Sequence, residues 1–551
     1  MKNHADALSP SAPSIFPPAF YTLAFAGLCF FFWFLGGRAV FRNDEQQHLH
    51  AALSSAEGKL PYRDYFDNHV PAFQFLAGLE IKALGIKPSP DLPVMMRRLA
   101  FPWLAAQLLL LVLISRSVFY EDRERYLSAA LLGGALLPFM AAQARPEPLW
   151  GTLFLLSLYL FSSRRPSVKS FFLVGLVNGL NTCVSLKTLA FPALPELLSL
   201  PVLFALYPAG LIASSGAALL GGLLVFPGLL LLYFGHAGAL AEFFHFAIFY
   251  TLRAAPGSGG HIGIAVAAIF LASGLSYFAA KVYNSRIRAE SAAFIVPVAF
   301  SLAVLFLYPV REAQTVYPFT TLAYLCLGAL AVKGLWAVFS GLRARRTALA
   351  LLLLAAVSGR LALEKAFADN NAGYRKDLSV MLKLQPGPGG MVMDAKGESL
   401  FWRRPFFYAL ETFAVQGLKD GTIKDSIPQD CAREAAPVAY MKYSYRFTPA
   451  DMAFFNGNYL PVCGAPDVIA AGKRLGGGSF EVLLPLAYRV LCSSGAAAGG
   501  LLDGRKYAGG TVRLAAGPHS FKPAAGCGGA ILALDRAAET GLLPCGYGGK
   551  I

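Results

Sequence analysis

The chain has 551 residues, of which 56% are hydrophobic and only 15% are charged. Several apolar runs reach about 18 residues or more, enough to cross the hydrocarbon core of a bilayer. The composition therefore excludes an ordinary soluble protein and predicts an α-helical polytopic membrane protein. The net charge of +16 does not indicate a nucleic-acid partner, because many basic residues lie in short loops between apolar runs, where they set membrane topology.

The N-terminal region consists of a polar tail followed by the first span. Residues 1–15 are polar and contain Pro and Ser, and they are predicted to be disordered. The apolar run at about 20–37 has no convincing small-residue cleavage site, which favours an uncleaved anchor over a signal peptide. It opens a transmembrane domain that we expect to occupy residues 16–365.

The segment after the first span places acidic residues at a membrane face. Asn43 or Asp44 is predicted to cap a short helix that ends at Gly58. Its apolar residues recur at helical spacing, so the helix is expected to lie along the membrane surface. Asp44 and Glu45 then lie in the first turn, where the positive end of the helix dipole favours ionised carboxylates. An ionised, oriented Asp44 can act as a general base.

A second interfacial helix and ten further spans are predicted beyond this segment. The interfacial helix covers residues 71–85, which are too short to cross the bilayer. The spans lie at about 98–117, 127–144, 149–163, 170–188, 190–206, 210–234, 262–283, 292–309, 315–339 and 346–362, giving about eleven with the first. With the N-terminus inside, four basic loops fall on the cytoplasmic side. The same parity places residues 43–97, the turn around Glu147, the 235–261 loop and the C-terminal tail on the extracytoplasmic face.

The tail has a different composition and no further span. Residues 366–465 are predicted to form an α/β region, with strands at 391–394 and 438–442 and helices at 407–418 and from Thr448. Residues 466–551 show short strands and Gly turns, which indicate a β-sandwich-like region. The tail also contains five of the eight cysteines. This clustering indicates disulfides and an oxidising compartment, with at least one of the five left unpaired: Cys431, Cys463, Cys492, Cys527 and Cys545.

A recognisable pattern of residues follows the first span. Asp44-Glu45 is followed by the short helix and then by Gly58-Lys59-Leu60-Pro61-Tyr62-Arg63-Asp64-Tyr65-Phe66-Asp67-Asn68. This pattern resembles the GT-C membrane glycosyltransferases related to protein O-mannosyltransferases and to the aminoarabinose transferase of lipid A. The resemblance covers about residues 20–360. Where the lipid A branch has a Lys, this chain has Asn68 or His69, a departure that argues against a lipid A substrate.

The resemblance implies a reaction and a set of roles. Such enzymes move a sugar from a polyprenyl-phosphate carrier to an acceptor hydroxyl or phosphate on the extracytoplasmic face. Asp44 is implied as the general base, supported by Glu45, and the alternative is a helix start with no catalytic role. Residues implied to bind the acceptor or the sugar are Arg63, Asp64, Asp67, Asn68, His69 and Glu147. Residues implied to bind the lipid phosphate are Lys187, Arg311, Gln314 and Tyr317.

Several of these residues have an equally simple structural interpretation. Glu147 follows Arg145 closely, so the two can form a structural ion pair. Lys187 can be an ordinary lysine that extends from a helix end to the interface. Tyr317 can pack at the membrane interface. Arg97, at the outer end of a span, can attract phosphate or simply flank the span.

The resemblance leaves metal use open. His48 and His50 are two residues apart on a predicted helix, so their side chains point about 200 degrees apart and cannot bind one ion together. No obligatory cofactor is therefore predicted, while a divalent cation at Asp44 or Glu147 remains an open alternative.

Together with the predicted topology, the resemblance implies a glycosyltransferase in a bacterial inner or plasma membrane, with its active site on the extracytoplasmic (periplasmic) side. Its predicted partners are a polyprenyl-phosphate-linked sugar donor, a glycan, lipid or protein acceptor, and the lipid bilayer, with no nucleic acid. One alternative is transfer of a phosphorylated group or a whole oligosaccharide. Another is a transporter or lipid translocator without transferase chemistry, which would use charged residues midway through several spans and paired repeats.

Overall fold

The computed structural model describes residues 18–118, 123–137, 139–163, 167–198, 200, 203–204, 207–250, 313–365, 367–387, 389–476 and 478–544. The chain divides into two compact units. We call residues 1–39, 69–73 and 94–369 the helical unit, and residues 40–68, 74–93 and 370–551 the mixed unit.

The described α-helices are numbered in chain order. They are α1 (Pro18–Arg38), α2 (Asn43–Ala56), α3 (Ala72–Ala83), α4 (Leu92–Leu99), α5 (Phe101–Val118), α6 (Arg123–Ala135), α7 (Pro146–Ser163), α8 (Val168–Val184), α9 (Leu194–Leu198), α10 (Ala209–His236), α11 (Leu240–Phe243), α12 (Ala313–Val338), α13 (Leu342–Leu363), α14 (Ala372–Leu384), α15 (Thr412–Asp420), α16 (Ile427–Arg433), α17 (Pro449–Asn458) and α18 (Asp535–Glu539). Shorter helical turns of other types lie at Phe139–Ala142, Leu189–Ala193, Phe244–Tyr250 and Ser444–Arg446.

Four described helical stretches are long and apolar enough to cross a membrane, which indicates a multi-pass membrane protein. They are Ala19–Arg38, Leu92–Arg116, Ala209–His236 and Arg343–Leu363. The predicted number of about eleven spans is not confirmed, and the spans predicted at 262–283 and 292–309 lie outside the described residues.

Three predicted spans are interrupted in the structure. The 127–144 run is helical only to Ala135 and continues as the short turn Phe139–Ala142. The 170–188 run ends at Val184, because Ser185 is extended with φ −155°. The 190–206 run has a non-helical backbone at Phe191, with φ −150° and ψ 110°, shortly before α9. Part of the predicted 235–261 loop is helical, from Leu240 to Tyr250. An apolar run in the sequence indicates that the segment lies in an apolar medium, but it does not indicate where the backbone turns.

Small residues allow helices α8 and α10 to pack closely. A Cβ atom on Gly179 would lie 2.6 Å from the carbonyl oxygen of Leu223, and a Cβ on Gly222 would collide with the carbonyl oxygen of Phe172. In a membrane the hydrophobic effect does not drive helices together, because the lipid is itself apolar. Helix pairs there are stabilised by such close packing instead. These glycines therefore fix the contact between α8 and α10.

The mixed unit contains two sheets. Its strands are β1 (Val392–Met393), β2 (Val438–Tyr440), β3 (Tyr459–Val462), β4 (Ala465–Leu475), β5 (Gly478–Val482), β6 (Ala487–Cys492), β7 (Gly500–Leu502), β8 (Arg505–Tyr507), β9 (Val512–Arg513), β10 (Gly517–Pro523) and β11 (Ala530–Leu534). The larger sheet has the order β1-β2-β4-β11-β6-β9, with β3 also paired to β4, and the smaller has the order β5-β10-β7-β8. Only the β1–β2 pairing is parallel among the described strands.

The larger sheet continues across the boundary predicted at residue 465. Strand β4 pairs with β2 and β3 on one side of that boundary and with β11 on the other. The larger sheet therefore contains strands from both predicted regions, 366–465 and 466–551. The predicted helix at 407–418 begins only at Thr412, whereas the helix predicted from Thr448 is present, with Thr448 and Asp451 forming a capping box.

The tail cysteines follow the predicted pattern in part. Cys492 and Cys527 form a disulfide, and Cys463 is also disulfide-bonded. Cys431 is a buried free thiol, which confirms that at least one tail cysteine is unpaired. Cys545 lies outside the described residues.

Helix α2 forms where it was predicted but in a different environment. It begins after an extended Arg42, which makes no side-chain capping bond, so neither Asn43 nor Asp44 is the N-cap. Gly58 has φ +80°, as expected for a residue that ends a helix in the left-handed conformation. The polar side chains of His48 and His50 are buried along with the apolar ones. Protein thus covers the face that was expected to meet water.

Candidate functional site

The start of α2 carries a carboxylate–ammonium pair. Asp44 and Glu45 lie in the first turn of the helix, as predicted. Lys396 Nζ donates to Asp44 Oδ1 at 2.5 Å, and the Lys396 side chain is only 8% exposed whereas that of Asp44 is 31% exposed. A lysine this buried needs a charged partner, because an unpaired ammonium is costly to remove from water. Asp44 supplies that charge while staying accessible.

A buried polar loop, residues 394–404, holds Lys396 in place. It directly follows strand β1, and Asp394 lies at its base. The Asp394 carboxylate accepts hydrogen bonds from the backbone N–H groups of Gly397 and Ser399, each at 2.8 Å. Arg404 Nη1 lies 3.3 Å from Asp394 Oδ1. The buried Asp394 carboxylate therefore binds both the start of the loop, at Gly397 and Ser399, and its end, at Arg404.

A glycine lets this loop lie directly against α2. Gly397 has φ +93°, and a Cβ atom there would be 2.8 Å from the Cβ of His50. A side chain is thus excluded both by the backbone conformation and by the space. His50 Nδ1 is also 2.9 Å from the carbonyl oxygen of Leu400. The loop therefore contacts α2 through Gly397 and Leu400 as well as through Lys396.

Glu398 is a second buried acid in the same loop. Its Oε2 accepts a hydrogen bond from the Lys396 backbone N–H at 2.6 Å, and Tyr374 donates its hydroxyl to the Glu398 carbonyl oxygen at 2.7 Å. Burial, followed by repulsion from Asp394, raises the pKa of Glu398 from 4.5 to about 7. The Glu398 carboxyl therefore titrates near neutral pH, two residues from the lysine that binds Asp44.

His50 on α2 supplies no positive charge. Burial, followed by the charge of Arg404, lowers the pKa of His50, which keeps its ring neutral. Among the residues that the structure describes, no three His, Cys, Asp or Glu side chains form a group that could hold a metal ion. The local charge at the start of α2 thus comes from carboxylates, Lys396 and Arg404.

The turn that follows α2 contains the next predicted residues. Asp64 Oδ2 accepts from the Leu60 N–H at 2.7 Å, and Arg63 Nε donates to Asp64 Oδ1 at 3.1 Å. Although burial acts to raise it, the hydrogen bonds from Arg63 and Leu60 lower the pKa of Asp64. Arg63 and Asp64 are exposed, so both can meet a ligand.

Asp67 and Asn68 are held within the mixed unit. Asp67 is buried and accepts a hydrogen bond from Gln74 Nε2 at 2.8 Å. Asn68 Oδ1 accepts from Gln47 Nε2 at 3.4 Å. These contacts give Asp67 and Asn68 a part in shaping the turn. His69 belongs to the helical unit and is half-buried.

The helical unit contains a buried ion pair at the start of α7. Arg145 binds Glu147 with two parallel bonds, Nε to Oε2 at 2.7 Å and Nη2 to Oε1 at 3.0 Å. The Glu147 side chain is 10% exposed. A two-point Arg–carboxylate pair is a strong and specific contact, and it favours the structural interpretation of Glu147.

Lys187 lies in the interruption after α8. Its Nζ is 5.7 Å from the centre of the Trp150 ring, and it is half-buried. Trp150 is itself fixed by a 2.9 Å hydrogen bond from Nε1 to Thr188 Oγ1. A cation beside an aromatic face retains an attraction for anions, since the ring neutralises little of its charge. The role of Lys187 at the carrier phosphate stays a prediction.

The remaining predicted phosphate-binding residues lie in or near α12. Tyr317 is fully buried and donates its hydroxyl to Gln107 Oε1 at 2.7 Å, which favours its packing role. Gln314 lies on α12, and Arg311 lies outside the described residues. Arg97 Nη1 donates to the carbonyl oxygens of Gly36 at 2.8 Å and Ala39 at 2.6 Å. Arg97 thus satisfies carbonyl groups at the end of α1, as a flanking residue does.

Lys396 and Glu398 were not predicted from the sequence. Lys396 pairs with a residue 352 positions earlier, and nothing in the sequence links the two. A signal was nevertheless present, because Asp394, Lys396, Glu398 and Ser399 directly follow a buried strand. Polar residues at a strand end often line a site.

Some solved structures are similar to the structure of this protein, although no curated sequence or family model matches its sequence. The sequence matches no protein-family model and no curated protein sequence. The structure is similar to that of the Archaeoglobus fulgidus oligosaccharyltransferase AglB in complex with an inhibitory peptide and a dolichol-phosphate, with 12% identity, a TM-score of 0.47 and coverage of 82% of this chain and 74% of the other. A second structure of the Archaeoglobus fulgidus oligosaccharyltransferase, with Zn and sulfate, gives 12% identity, a TM-score of 0.45 and coverage of 80% and 71%.

ArnT from Cupriavidus metallidurans bound to undecaprenyl phosphate is similar to the same extent. Its identity is 14%, its TM-score is 0.45, and the match covers 82% of this chain and 98% of ArnT. At these identities the similarity concerns the fold alone.

Proposed function

We propose that this protein is a membrane glycosyltransferase that moves a sugar from a polyprenyl-phosphate carrier to a hydroxyl of a glycan, lipid or protein acceptor. The reaction would take place on the extracytoplasmic face, where the membrane topology inferred from the sequence puts residues 43–97 and the tail. One observation carries the proposal. Asp44 is an accessible carboxylate at the positive end of a helix, held in one orientation by the buried ammonium of Lys396.

This arrangement suits a general base. The acceptor hydroxyl attacks C1 of the sugar and gives its proton to Asp44, while the bond between C1 and the phosphate oxygen breaks and its electrons stay on the phosphate. The helix dipole and Lys396 both favour the ionised form of Asp44, which is the form able to take the proton. Lys396 is a positioning residue, because it acts through Asp44.

The other predicted residues complete the proposal. We assign Glu45 to the support of Asp44, and Arg63 and Asp64 to contact with the acceptor. Lys187 is assigned to the carrier phosphate, where a cation would stabilise the charge that develops on the leaving group. Arg311, Gln314 and Tyr317 remain candidates for the same phosphate, and Asp67, Asn68, His69 and Glu147 for the sugar or the acceptor. A divalent cation remains compatible with the accessible carboxylates.

Complementation with an Asp44 variant tests this function. Cells that lack the gene are given either the natural protein or Asp44→Asn, and their surface glycans and lipids are compared by mass spectrometry. We expect deletion to remove one sugar substituent, the natural protein to restore it, and Asp44→Asn to leave it absent at equal protein abundance. Asn keeps the shape of the side chain but cannot take a proton. Full restoration by Asp44→Asn would contradict the role of Asp44 as base.

A further inference from the structure

The mixed unit contains a cavity beside the loop that holds Lys396. Its volume is about 230 Å³, below the range of about 300–1,000 Å³ that is usual for drug-sized ligands. The walls come from α2, from the turn after α2, from residues 403–407 and from the end of α16. A cavity of this size accommodates a small polar ligand, such as one sugar unit with a charged group.

The lining of this cavity is rich in basic side chains. Its five lysines and arginines outnumber its two carboxylates, Asp64 and Glu434. The five basic residues are Lys59, Arg63, Arg403, Arg404 and Arg433. Three of them each pair with an acid, Lys59 with Glu57, Arg63 with Asp64 and Arg404 with Asp394.

Arg403 and Arg433 are exposed, as Arg63 is, and are only partly engaged by neighbouring acids. Arg403 Nη2 contacts Glu434 Oε2 at 3.0 Å, and Arg433 contacts Asp430 at 2.7 Å and Glu434 at 3.4 Å. Their side chains are 53% and 65% exposed. A guanidinium group has five N–H donors, and these contacts use only some of them. Exposed ion pairs of this kind contribute little, so an incoming anion can compete with them.

Aromatic rings form the other part of the lining. Tyr65, Phe66, Phe406 and Phe407 line the cavity, and the rings of Phe66 and Phe407 meet edge to face with centres 5.9 Å apart. Aromatic walls with a few convergent charged groups are typical of sites for small organic ligands. A ring-shaped ligand with one anionic group therefore matches this lining better than a bare ion.

We propose that this cavity binds the phosphate group of a phosphorylated saccharide, with Arg403 and Arg433 contacting the phosphate and the aromatic rings contacting the sugar. Arginine is favoured over lysine for phosphate because its planar fork donates two parallel hydrogen bonds to two oxygens. This binding deepens the proposed function, on which it rests in part, because Arg63 and Asp64, assigned above to the acceptor, also line the cavity. It requires no bond to be made or broken and no participation of Asp44.

The cavity is also connected to the organised loop. Arg404 lines the cavity and lies 3.3 Å from Asp394, the residue that anchors the loop carrying Lys396. His50 lines the cavity as well and contacts Leu400 of the same loop. A ligand in the cavity would therefore lie next to the loop that positions Lys396.

Binding measurements on the purified full chain in detergent test the proposal. The probe is α-D-glucose 1-phosphate, and the comparison ligands are glucose, inorganic phosphate and glucuronate, each measured by isothermal titration calorimetry. We expect glucose 1-phosphate to bind at least tenfold more tightly than any of the three, with affinity falling as salt rises. Glucose or inorganic phosphate binding as tightly would overturn the proposal, and so would glucuronate, which carries a carboxylate in place of the phosphate.

Matched variants test the residues. Arg403→Gln and Arg433→Gln are each expected to weaken glucose 1-phosphate binding about tenfold, and Arg433→Lys to weaken it less. The control is Arg536→Gln, because Arg536 also pairs with an acid three residues away on a helix, Glu539, but lies outside this cavity. Both side chains at the cavity are exposed, so these variants should fold. Unchanged affinity in Arg403→Gln and Arg433→Gln would overturn the assignment. Asp44→Asn should bind as the natural protein does, which separates this proposal from the transfer reaction.

Discussion

Replacing Glu398 by Gln should make the protein less sensitive to pH. The Glu398 carboxyl has an ordinary pKa of 4.5 in the unfolded chain and a pKa of about 7 in the folded protein, where burial is the main cause and Asp394 the second. Between these two values the folded protein holds a proton that the unfolded chain has lost. The unfolded chain therefore binds fewer protons, and the free energy of unfolding falls as pH rises from 4.5 to 7.

The size of this effect follows from the same pKa values. At 1.36 kcal/mol per pH unit, Glu398 alone lowers the free energy of unfolding by about 3 kcal/mol across the window. Gln has the shape of the protonated acid and can still accept the hydrogen bond from the Lys396 backbone N–H. Glu398→Gln should therefore lose this part of the pH dependence and should be more stable than the natural protein at pH 8.

Thermal unfolding in detergent between pH 5 and pH 8 measures the difference. Other buried carboxyls change stability in the same direction, since burial raises the pKa of Asp377 and raises that of Asp451 to about 6. They are present in both proteins and cancel in the comparison. Glu539→Gln, which removes a surface acid, is the control and should leave the pH dependence of Tm unchanged. If the Tm of Glu398→Gln falls with pH as steeply as that of the natural protein, the reasoning about Glu398 is wrong.

Two further predictions concern the pair at α2 and the packing of α8. Lys396→Met should reduce transfer about 100-fold, because a positioned base contributes about 10²–10⁴-fold to the rate. Transfer is measured as the fraction of glycan that carries the substituent in complemented cells. Lys396→Arg should retain more activity than Lys396→Met, and full activity in Lys396→Met would refute the pairing. Gly222→Ala should lower Tm, because the new Cβ would collide with the Phe172 carbonyl oxygen at a cost of about 1–3 kcal/mol in stability. Gly221→Ala on the same helix is the control. It should leave Tm unchanged, because no atom lies within 4 Å of the position of its Cβ.

Local signals in the sequence predicted local structure well. Gly58 ends α2 with a positive φ, and Thr448 caps α17, because in both places a few neighbouring residues decide the backbone conformation. Strand β1 was recognised from its unbroken apolar character. For Gly58 and Thr448 the stabilising interaction lies within one or two turns of chain, whereas β1 pairs with the distant strand β2.

Features that depend on distant residues were missed for a physical reason. The partner of Asp44 is 352 residues away, and the strand that joins the two halves of the tail, β4, pairs with strands before and after it. The burial of α2 was missed for the same reason, because the loop that covers it comes from the tail. Periodicity shows which face of a helix is apolar but not which segment will cover its polar face.

The Asp44–Lys396 and Glu147–Arg145 pairs differ in a way that bears on catalysis. Glu147 is bound through both carboxylate oxygens by Arg145, two residues away, and its side chain is 10% exposed. Its lone pairs are largely engaged in fixing the start of α7. Asp44 is held through Oδ1 by a lysine from a distant loop, and its side chain is three times as exposed, at 31%. A base must be both oriented and reachable, and Asp44 meets both requirements, which is why the proposed chemistry is assigned to Asp44 and not to Glu147.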